Sequence, residues 1–222
     1  QGDKPTSPIP SELPILPVGD LVVFPQMILP LLIKQENLVK MIEDLVVGDK
    51  ILGTVTIRRQ EKEEVKPEGL YSIGVASVVH KMVKLFDGSL RLLIQGLERV
   101  RIVRFTGQDP YLRAVVEVIK DQVEEGQRDE IQALMVNIRN AFQRIMELSP
   151  HLPSELGALI LSVEEPGVMA DLLAANLNIP LEEKQEILET PSILERLKKV
   201  SFALGRQLEL LELGNKIQSQ VR

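Results

Sequence analysis

The 222-residue sequence contains no cysteine and no tryptophan, and only five phenylalanines and two tyrosines. Without thiols there are no disulfides, no thiolate zinc sites and no cysteine nucleophile. The shortage of aromatic rings removes the stacking platforms on which single-stranded nucleic-acid binders rely. It also leaves Leu, Ile, Val and Met to build any core. No apolar run approaches the roughly 18 residues of a membrane-spanning helix, so no membrane partner is expected. Basic residues are outnumbered, 26 Lys and Arg against 32 Asp and Glu, and the net charge is −6. That balance argues against a general nucleic-acid binder, whose affinity comes largely from phosphate neutralisation. What is present is ordinary for a folded chain: 44% hydrophobic and 26% charged residues exclude a disordered composition. The absence of cysteine fits a reducing compartment, and a cytoplasmic location is expected.

The hydrophobic pattern divides the chain near residue 121. Residues 1–12 (QGDKPTSPIPSE) carry three prolines and no apolar periodicity, and are read as a disordered lead-in. From Leu13 the pattern is strand-like: 13–18, 27–33, 51–57, 71–86, 89–105 and 111–120 are apolar, β-branched or alternating runs. Asp87-Gly88 joins the two longest, a hairpin signal expected to form a type I′ turn. One helix interrupts this half, marked by the stripe Leu38, Met41, Ile42, Leu45 and Val46 and stopped by Gly48. Six short strands with turn signals predict a small sandwich or barrel. After Asp121 the period changes to 3.6. Helices are expected over about 131–145, 154–163, 166–177 and 181–188, then a long last helix with Thr190 as N-cap and Pro191 at its first position. That helix runs to the end of the sequence without a cap and is expected to continue into a longer chain. The fold class is therefore α+β: a β module with one helix over 13–121, then an all-helical bundle over 122–222 ending in a long helix.

The sequence offers no catalytic set. There is no Walker A loop, G-x-G-x-x-G, H-E-x-x-H or G-x-S-x-G. His80 and His151 stand 71 positions apart in different modules and are read as ordinary strand and loop residues. The carboxylate pairs Glu63-Glu64, Glu124-Glu125, Glu164-Glu165 and Glu182-Glu183 sit in polar loops or at helix starts, where solvent does not raise a carboxyl pKa toward acid catalysis. Arg99, Arg101 and Arg104 form the densest basic cluster and are read as a solvated sheet face. Glu61–Glu68 (EKEEVKPE) is expected to be a flexible charged loop. No catalytic, metal-binding or cofactor-binding residue is assigned.

The informative residues are apolar ones placed at turns. Phe24-Pro25-Gln26-Met27-Ile28 joins two strands, and Met82, Leu85 and Phe86 lie beside the Asp87-Gly88 tip. Large apolar side chains at such positions are poorly placed for burial, and exposed together they mark a binding surface; methionine adapts to varied partners. Pro25, Met27, Ile28, Met82, Leu85 and Phe86 are the candidate site.

An ordered set of motifs resembles the amino-terminal domain of the Lon protease family. In LPILPVGDLVVFPQMILPLLI, Leu13, Pro14, Leu16, Pro17, Asp20, Val22, Phe24, Pro25, Pro30 and Leu31 match its opening, with Gly19 where the family usually has Arg. Leu70-Tyr71 with Ile73-Gly74-Val75-Ala76, Leu85 to Gly88 with Gln95-Gly96-Leu97-Arg99, and Pro110-Tyr111-Leu112 follow in order, Phe86 replacing a usual Pro. In the helical half, Asp171-Leu172, Glu183 to Glu189 and Glu195-Arg196-Leu197 complete the likeness. The resemblance implies a PUA-like β-barrel or sandwich module followed by a helical bundle. It implies the substrate-recognition and assembly part of an ATP-dependent serine protease, a hydrolase that is homohexameric in full length. The partners implied are unfolded, damaged or degron-bearing proteins and other copies of the chain, in protein quality control. It further implies that ATP and magnesium serve an AAA+ module, and a Ser-Lys pair a protease module, neither of which is in this sequence; the fragment itself is not an enzyme. The alternative is a stand-alone Lon-type adaptor or ligand-binding protein. An RNA-binding module, drawn from the PUA-like fold and the Arg99/Arg101 pair, is the weakest reading. The stripe of the last helix either pairs with a copy of itself or, the favoured reading over 193–211, closes its own bundle; Gly205 and Gly214 weaken a coiled coil, each costing about 1 kcal/mol against Ala.

Overall fold

The computed structural model describes residues 9–59 and 64–221. It separates into two compact units, one ending at Ile119 and one beginning at Lys120.

The first unit contains strands β1 (Glu12–Val18), β2 (Ile28–Ile33), β3 (Ile51–Thr56), β4 (Ile73–Lys84), β5 (Leu90–Gly107) and β6 (Arg113–Val118), with helix α1 (Glu36–Leu45) between β2 and β3. The order is β2-β5-β4-β3-β1-β6, and β6 also pairs with β5. Five strands, β1, β3, β4, β5 and β6, therefore close into a barrel, and β2 is added outside that ring. Closure removes free edges from the five. Only β1 and β3 run parallel, in register Ile15↔Gly53 to Val18↔Thr56; β2 and α1 supply the crossover that a parallel pair needs. Leu13, Ile15, Ile51, Val55, Leu70, Ala76, Val100, Leu112, Ala114 and Val116 form a buried core. Strand β3 is buried along its whole length, and its polar side chains are bonded: Thr54 Oγ1 donates to the Val75 carbonyl at 2.9 Å and Thr56 Oγ1 to that of Leu21 at 2.8 Å. Helix α1 buries Met41 and Ile42 completely, and the Tyr111 hydroxyl donates to Asp44 Oδ2 at 2.9 Å.

Three local expectations change. The hairpin between β4 and β5 is not type I′. Among the described residues Gly88 has positive φ (86°) and neither Phe86 nor Asp87 does. Gly88 N–H donates to Leu85 O at 3.1 Å and Leu85 N–H to Ser89 O at 2.9 Å, a three-residue loop with glycine in the left-handed position. The lead-in also ends earlier. Residues 1–8 lie outside the described residues, but Ile9 packs against the barrel core and the Ser11 carbonyl accepts Val116 N–H at 2.9 Å. Of the charged loop, 61–63 lies outside the described residues; Val65 packs against the core and Pro67–Gly69 forms a 3-10 turn.

The second unit contains α2 (Arg128–Leu148), α3 (Ser154–Ser162), α4 (Pro166–Asn176), α5 (Leu181–Leu188) and α6 (Ile193–Val221). Helix α2 buries Ile131, Met135, Ile138, Phe142 and Ile145, a stripe at alternating spacings of four and three. Helix α6 buries Leu194, Leu197, Val200, Ala203 and Leu204, whereas Leu210, Leu213, Ile217 and Val221 are exposed. Thr190 is not its N-cap. Thr190 Oγ1 donates back to the Glu186 carbonyl at 2.7 Å, closing α5. The cap is Ser192, whose Oγ accepts Glu195 N–H at 3.3 Å; Ser192-Ile193-Leu194-Glu195 is the Ser-x-x-Glu signature of a helix start.

Arg196 organises this unit. It is fully buried. Its Nη1 donates to Asp121 Oδ1 at 3.0 Å and to the Thr190 carbonyl at 3.2 Å, and its Nε lies 3.5 Å from Asp171 Oδ1. Beside it Gln122 N–H donates to Pro191 O and Ile193 N–H to Gln122 O, at 2.9 and 3.0 Å. One guanidinium thus ties together the segment before α2, helix α4, the α5–α6 turn and the first turn of α6. Removing one partner of a buried ion pair costs far more than the pair contributes relative to an apolar replacement. Arg196→Ala is expected to destabilise the helical unit by about 3 kcal/mol, read as a lower urea midpoint with an unchanged m-value. A loss below about 1 kcal/mol contradicts this role.

Candidate functional site

Register decides which apolar side chains share a surface. Strand β2 pairs with β5 from Ile28↔Gln95 to Ile33↔Leu90, and β4 pairs with β5 through Val78↔Gln95, Lys81↔Leu93, Met82↔Leu92 and Val83↔Arg91. Leu90, Leu92 and Ile94 are buried, so they mark the inner face, and Arg91, Leu93 and Gln95 point out. Cross-strand partners lie on the same face. The outer face therefore has three rows: Ile28–Gln95–Val78, Pro30–Leu93–Lys81 and Leu32–Arg91–Val83. Ile28 is 59% exposed, Leu32 49% and Val83 55%. His80 occupies a bulge in β4, and its Nε2 lies 2.8 Å from Gln95 Oε1, pinning that amide.

The six candidate residues do not form one cluster. Pro25, Met27 and Ile28 lie at the start of β2, while Leu85 and Phe86 lie at the hairpin tip beside its other end. Five residue steps of about 3.4 Å, roughly 17 Å, separate Ile28 from Ile33. Pro25 and Met27 are half-buried. Met82 belongs to the opposite face, paired with Leu92, and is 36% exposed where the hairpin outruns the core. Leu85 is half-buried, and Phe86 is fully exposed. Pro30, Leu32, Leu93 and Val83, which the sequence reading did not single out, bridge the two ends. The signal for them is in β2 itself: in ILPLLI both parities are apolar, so a strand that buries one face must show an apolar second face.

The turn entering β2 is fixed by backbone contacts. Met27 N–H donates to Phe24 O at 3.1 Å, with Gln26 between them at φ 71°, a conformation usually left to glycine or asparagine after Pro. Gln26 N–H donates to Gly96 O at 2.8 Å, and Gly96 N–H to Met27 O at 2.9 Å. A Cβ at Gly96 would stand 2.3 Å from the Phe24 carbonyl oxygen, so this position must be glycine for the turn to dock on β5. At the other end, the Ser89 hydroxyl and backbone N–H both donate to Asp87 Oδ1. These bonds hold the Asp87 carboxyl below its usual range, the hydroxyl bond being the larger cause.

The basic cluster is a solvated face only in part, Arg101 and Arg104 being exposed. Arg99 is buried, and Arg101 Nη1 is paired with Glu117 Oε1 at 2.8 Å. The barrel unit has a cleft of about 400 Å³ lined by Ile15, Leu38, Ile57 and Leu112, with exposed Glu64, Lys66 and Asp109 at its rim. Among the described residues no group of three or more His, Cys, Asp or Glu is placed to hold a metal ion, and no helix is long and apolar enough to cross a membrane.

Residues 12–206 match the family model of the ATP-dependent protease La (LON) substrate-binding domain. Among curated proteins, the Lon protease of Dictyoglomus thermophilum is 41% identical over 217 residues, covering 98% of this chain and 27% of the relative. Lon protease 2 of Myxococcus xanthus is 38% identical over 214 residues, covering 96% and 26%. The chain thus spans about a quarter of the length of the curated relatives it matches. Among solved structures, the amino-terminal domain of the Mycobacterium avium complex Lon protease superposes with a TM-score of 0.67 at 20% identity, covering 87% of this chain and 98% of that one. The Lon amino-terminal domain protein of Xanthomonas campestris gives 0.61 at 17% identity, covering 85% and 96%. At these identities the superpositions establish the shared α+β fold.

Two measurements check the site's framework. Gln26→Gly is expected to raise stability by about 0.5 kcal/mol, the relief of positive φ outweighing the greater backbone entropy of glycine; a loss of stability contradicts the turn as described. For Asp87, the folded pKa is depressed, so its contribution to the hairpin is present above the unfolded value and lost as pH falls through the folded one, below about pH 4. Ser89→Ala is expected to raise the Asp87 pKa measured by carbon-detected NMR titration. An unmoved value contradicts the hydroxyl bond.

Proposed function

We propose a function from one premise: the chain belongs to the LON substrate-binding domain family of the ATP-dependent protease La. In this reading it performs the capture step of a Lon-type serine protease, holding unfolded, damaged or degron-bearing proteins by exposed apolar side chains so that they can be degraded in protein quality control. The observation that carries the reading is the outer face of β2, β5 and β4, where Ile28, Leu32 and Val83 stand in solvent on one sheet face. A contiguous exposed apolar patch marks an interaction site. Folded proteins bury the segments that would match it, and unfolded ones present them, so the patch discriminates by availability rather than by sequence. Pro25 and Met27 at one end and Leu85 and Phe86 at the other extend this surface in the same reading, while Met82 stands on the opposite face of the hairpin.

The remaining roles belong, in this reading, to the longer protein. ATP, magnesium and the peptidase pair serve modules other than this chain, and the whole assembles as a cytoplasmic homohexamer. Several copies of one weak patch then bind a long unfolded segment with an avidity that a single copy lacks.

The test is a titration of the chain with one protein in unfolded and folded forms, followed by amide chemical shifts. The unfolded form alone is expected to shift residues of β2, β4 and β5. The double variant Ile28→Asp, Leu32→Asp is expected to weaken binding roughly tenfold or more, since each buried side chain contributes about 1.5–3 kcal/mol. Equal binding of the folded form would discard capture of unfolded protein, and undiminished binding by the variant would discard this face.

A further inference from the structure

The outer face is apolar in six of its nine positions, yet its two charged residues have the same sign. Arg91 and Lys81 occupy adjacent rows, beside Val83 and Leu93, and none of the nine positions is a carboxylate. This is unusual in a chain with 32 Asp and Glu against 26 Lys and Arg. Some exposed cations of the same unit are answered: Lys84 by Glu43, Arg101 by Glu117 and Arg113 by Glu12, at 3.4, 2.8 and 3.0 Å. Lys34, just past β2, has its charge set against Asp87 at the tip. Among the described residues Arg91 and Lys81 form no ion pair, and both are solvent-exposed.

A partner laid across this face takes both cations partly out of water. An apolar segment leaves them without a counter-charge, and a basic one adds repulsion; only carboxylates beside the apolar residues repay the lost hydration. Charge complementarity of this kind sets partner choice more than overall affinity. The free edge of β2 does not offer a simpler solution. Gly96 N–H bonds to Met27 O, which sets the phase of the antiparallel pair so that Ile28, Pro30 and Leu32 turn their backbone groups outward. The middle one, Pro30, has no N–H to give, a device that protects edges from strand addition.

We propose that this face selects unfolded protein segments in which acidic residues accompany apolar ones, with Arg91 and Lys81 as the selecting groups. The proposal rests on the capture reading above and gives that same surface its substrate class. Its test uses two unstructured peptides of equal length and identical apolar residues, one with Asp and Glu and the other with Lys and Arg at the remaining charged positions. Each is titrated into the 222-residue chain, with amide shifts as readout. The acidic peptide is expected to bind about fivefold more tightly, with the advantage shrinking as salt is raised. Arg91→Gln with Lys81→Gln is expected to erase the preference, and Arg91→Glu with Lys81→Glu to reverse it. Both side chains are exposed, so an unchanged circular-dichroism melting curve shows that each variant folds. Equal affinity for the two peptides, or a preference that survives the Gln pair, overturns the selection and leaves capture standing. If neither peptide nor an unfolded protein shifts any residue of β2, β4 or β5, capture at this face fails with it.

Discussion

Strand β5 is eighteen residues long, longer than any one neighbour in the unit, and the architecture of the β unit follows from satisfying its backbone. A strand inside a folded domain cannot leave its N–H and C=O groups unpaired. Strand β4 pairs along most of one side, while the other side is shared, β6 taking the second half and β2 the first. The β6 pairing closes the barrel and its core. The β2 pairing builds an extension, in which three strands share one buried and one open face. Docking of the Phe24–Met27 turn on Gly96 sets where β2 begins, and so which of its residues face solvent. The exposed apolar surface is thus a consequence of the fold's longest strand rather than a decoration of a loop.

The helical unit rests on a different constraint, a buried charge. Arg196 ties together separate parts of the chain, its partners being Asp121, Asp171 and the Thr190 carbonyl. Gly167 leaves the space: a Cβ there would lie 2.8 Å from Asp121 Oδ2 and 3.0 Å from Arg196 Nη2. A buried charge of this kind adds little net stability over an apolar substitute, while removal of a partner leaves it unmatched.

Much of this is legible in the sequence, and what is not has identifiable physics. The six strands and six helices follow from period and punctuation, since Pro, Gly and a change from alternation to a 3.6 repeat are local signals. Turn chemistry is less local. Asp87-Gly88 reads as a two-residue turn, but Ser89 donates to Asp87 and draws the loop to three residues. Thr190-Pro191 reads as a helix start, but the Ser192–Glu195 pair two residues later is the stronger cap. The candidate surface is half visible. Apolar residues at turns are conspicuous, whereas Leu32 and Val83 look like core until register shows that Arg91, the cross-strand partner of both, faces out. Arg99 and Arg101 share a parity in the sequence and differ in fate, one buried and one paired with Glu117, because only the barrel decides what covers them.

The central claim is that unfolded protein docks on the face shared by β2, β5 and β4. Photo-crosslinking tests it most directly: a benzoylphenylalanine is placed at Leu32, at Val83, or at the exposed Val136 of α2, and the chain is irradiated with an unfolded protein. The account predicts crosslinks from positions 32 and 83, competed away by unlabelled unfolded protein, and none from 136. Crosslinks from 136 with none from 32 or 83 would contradict it.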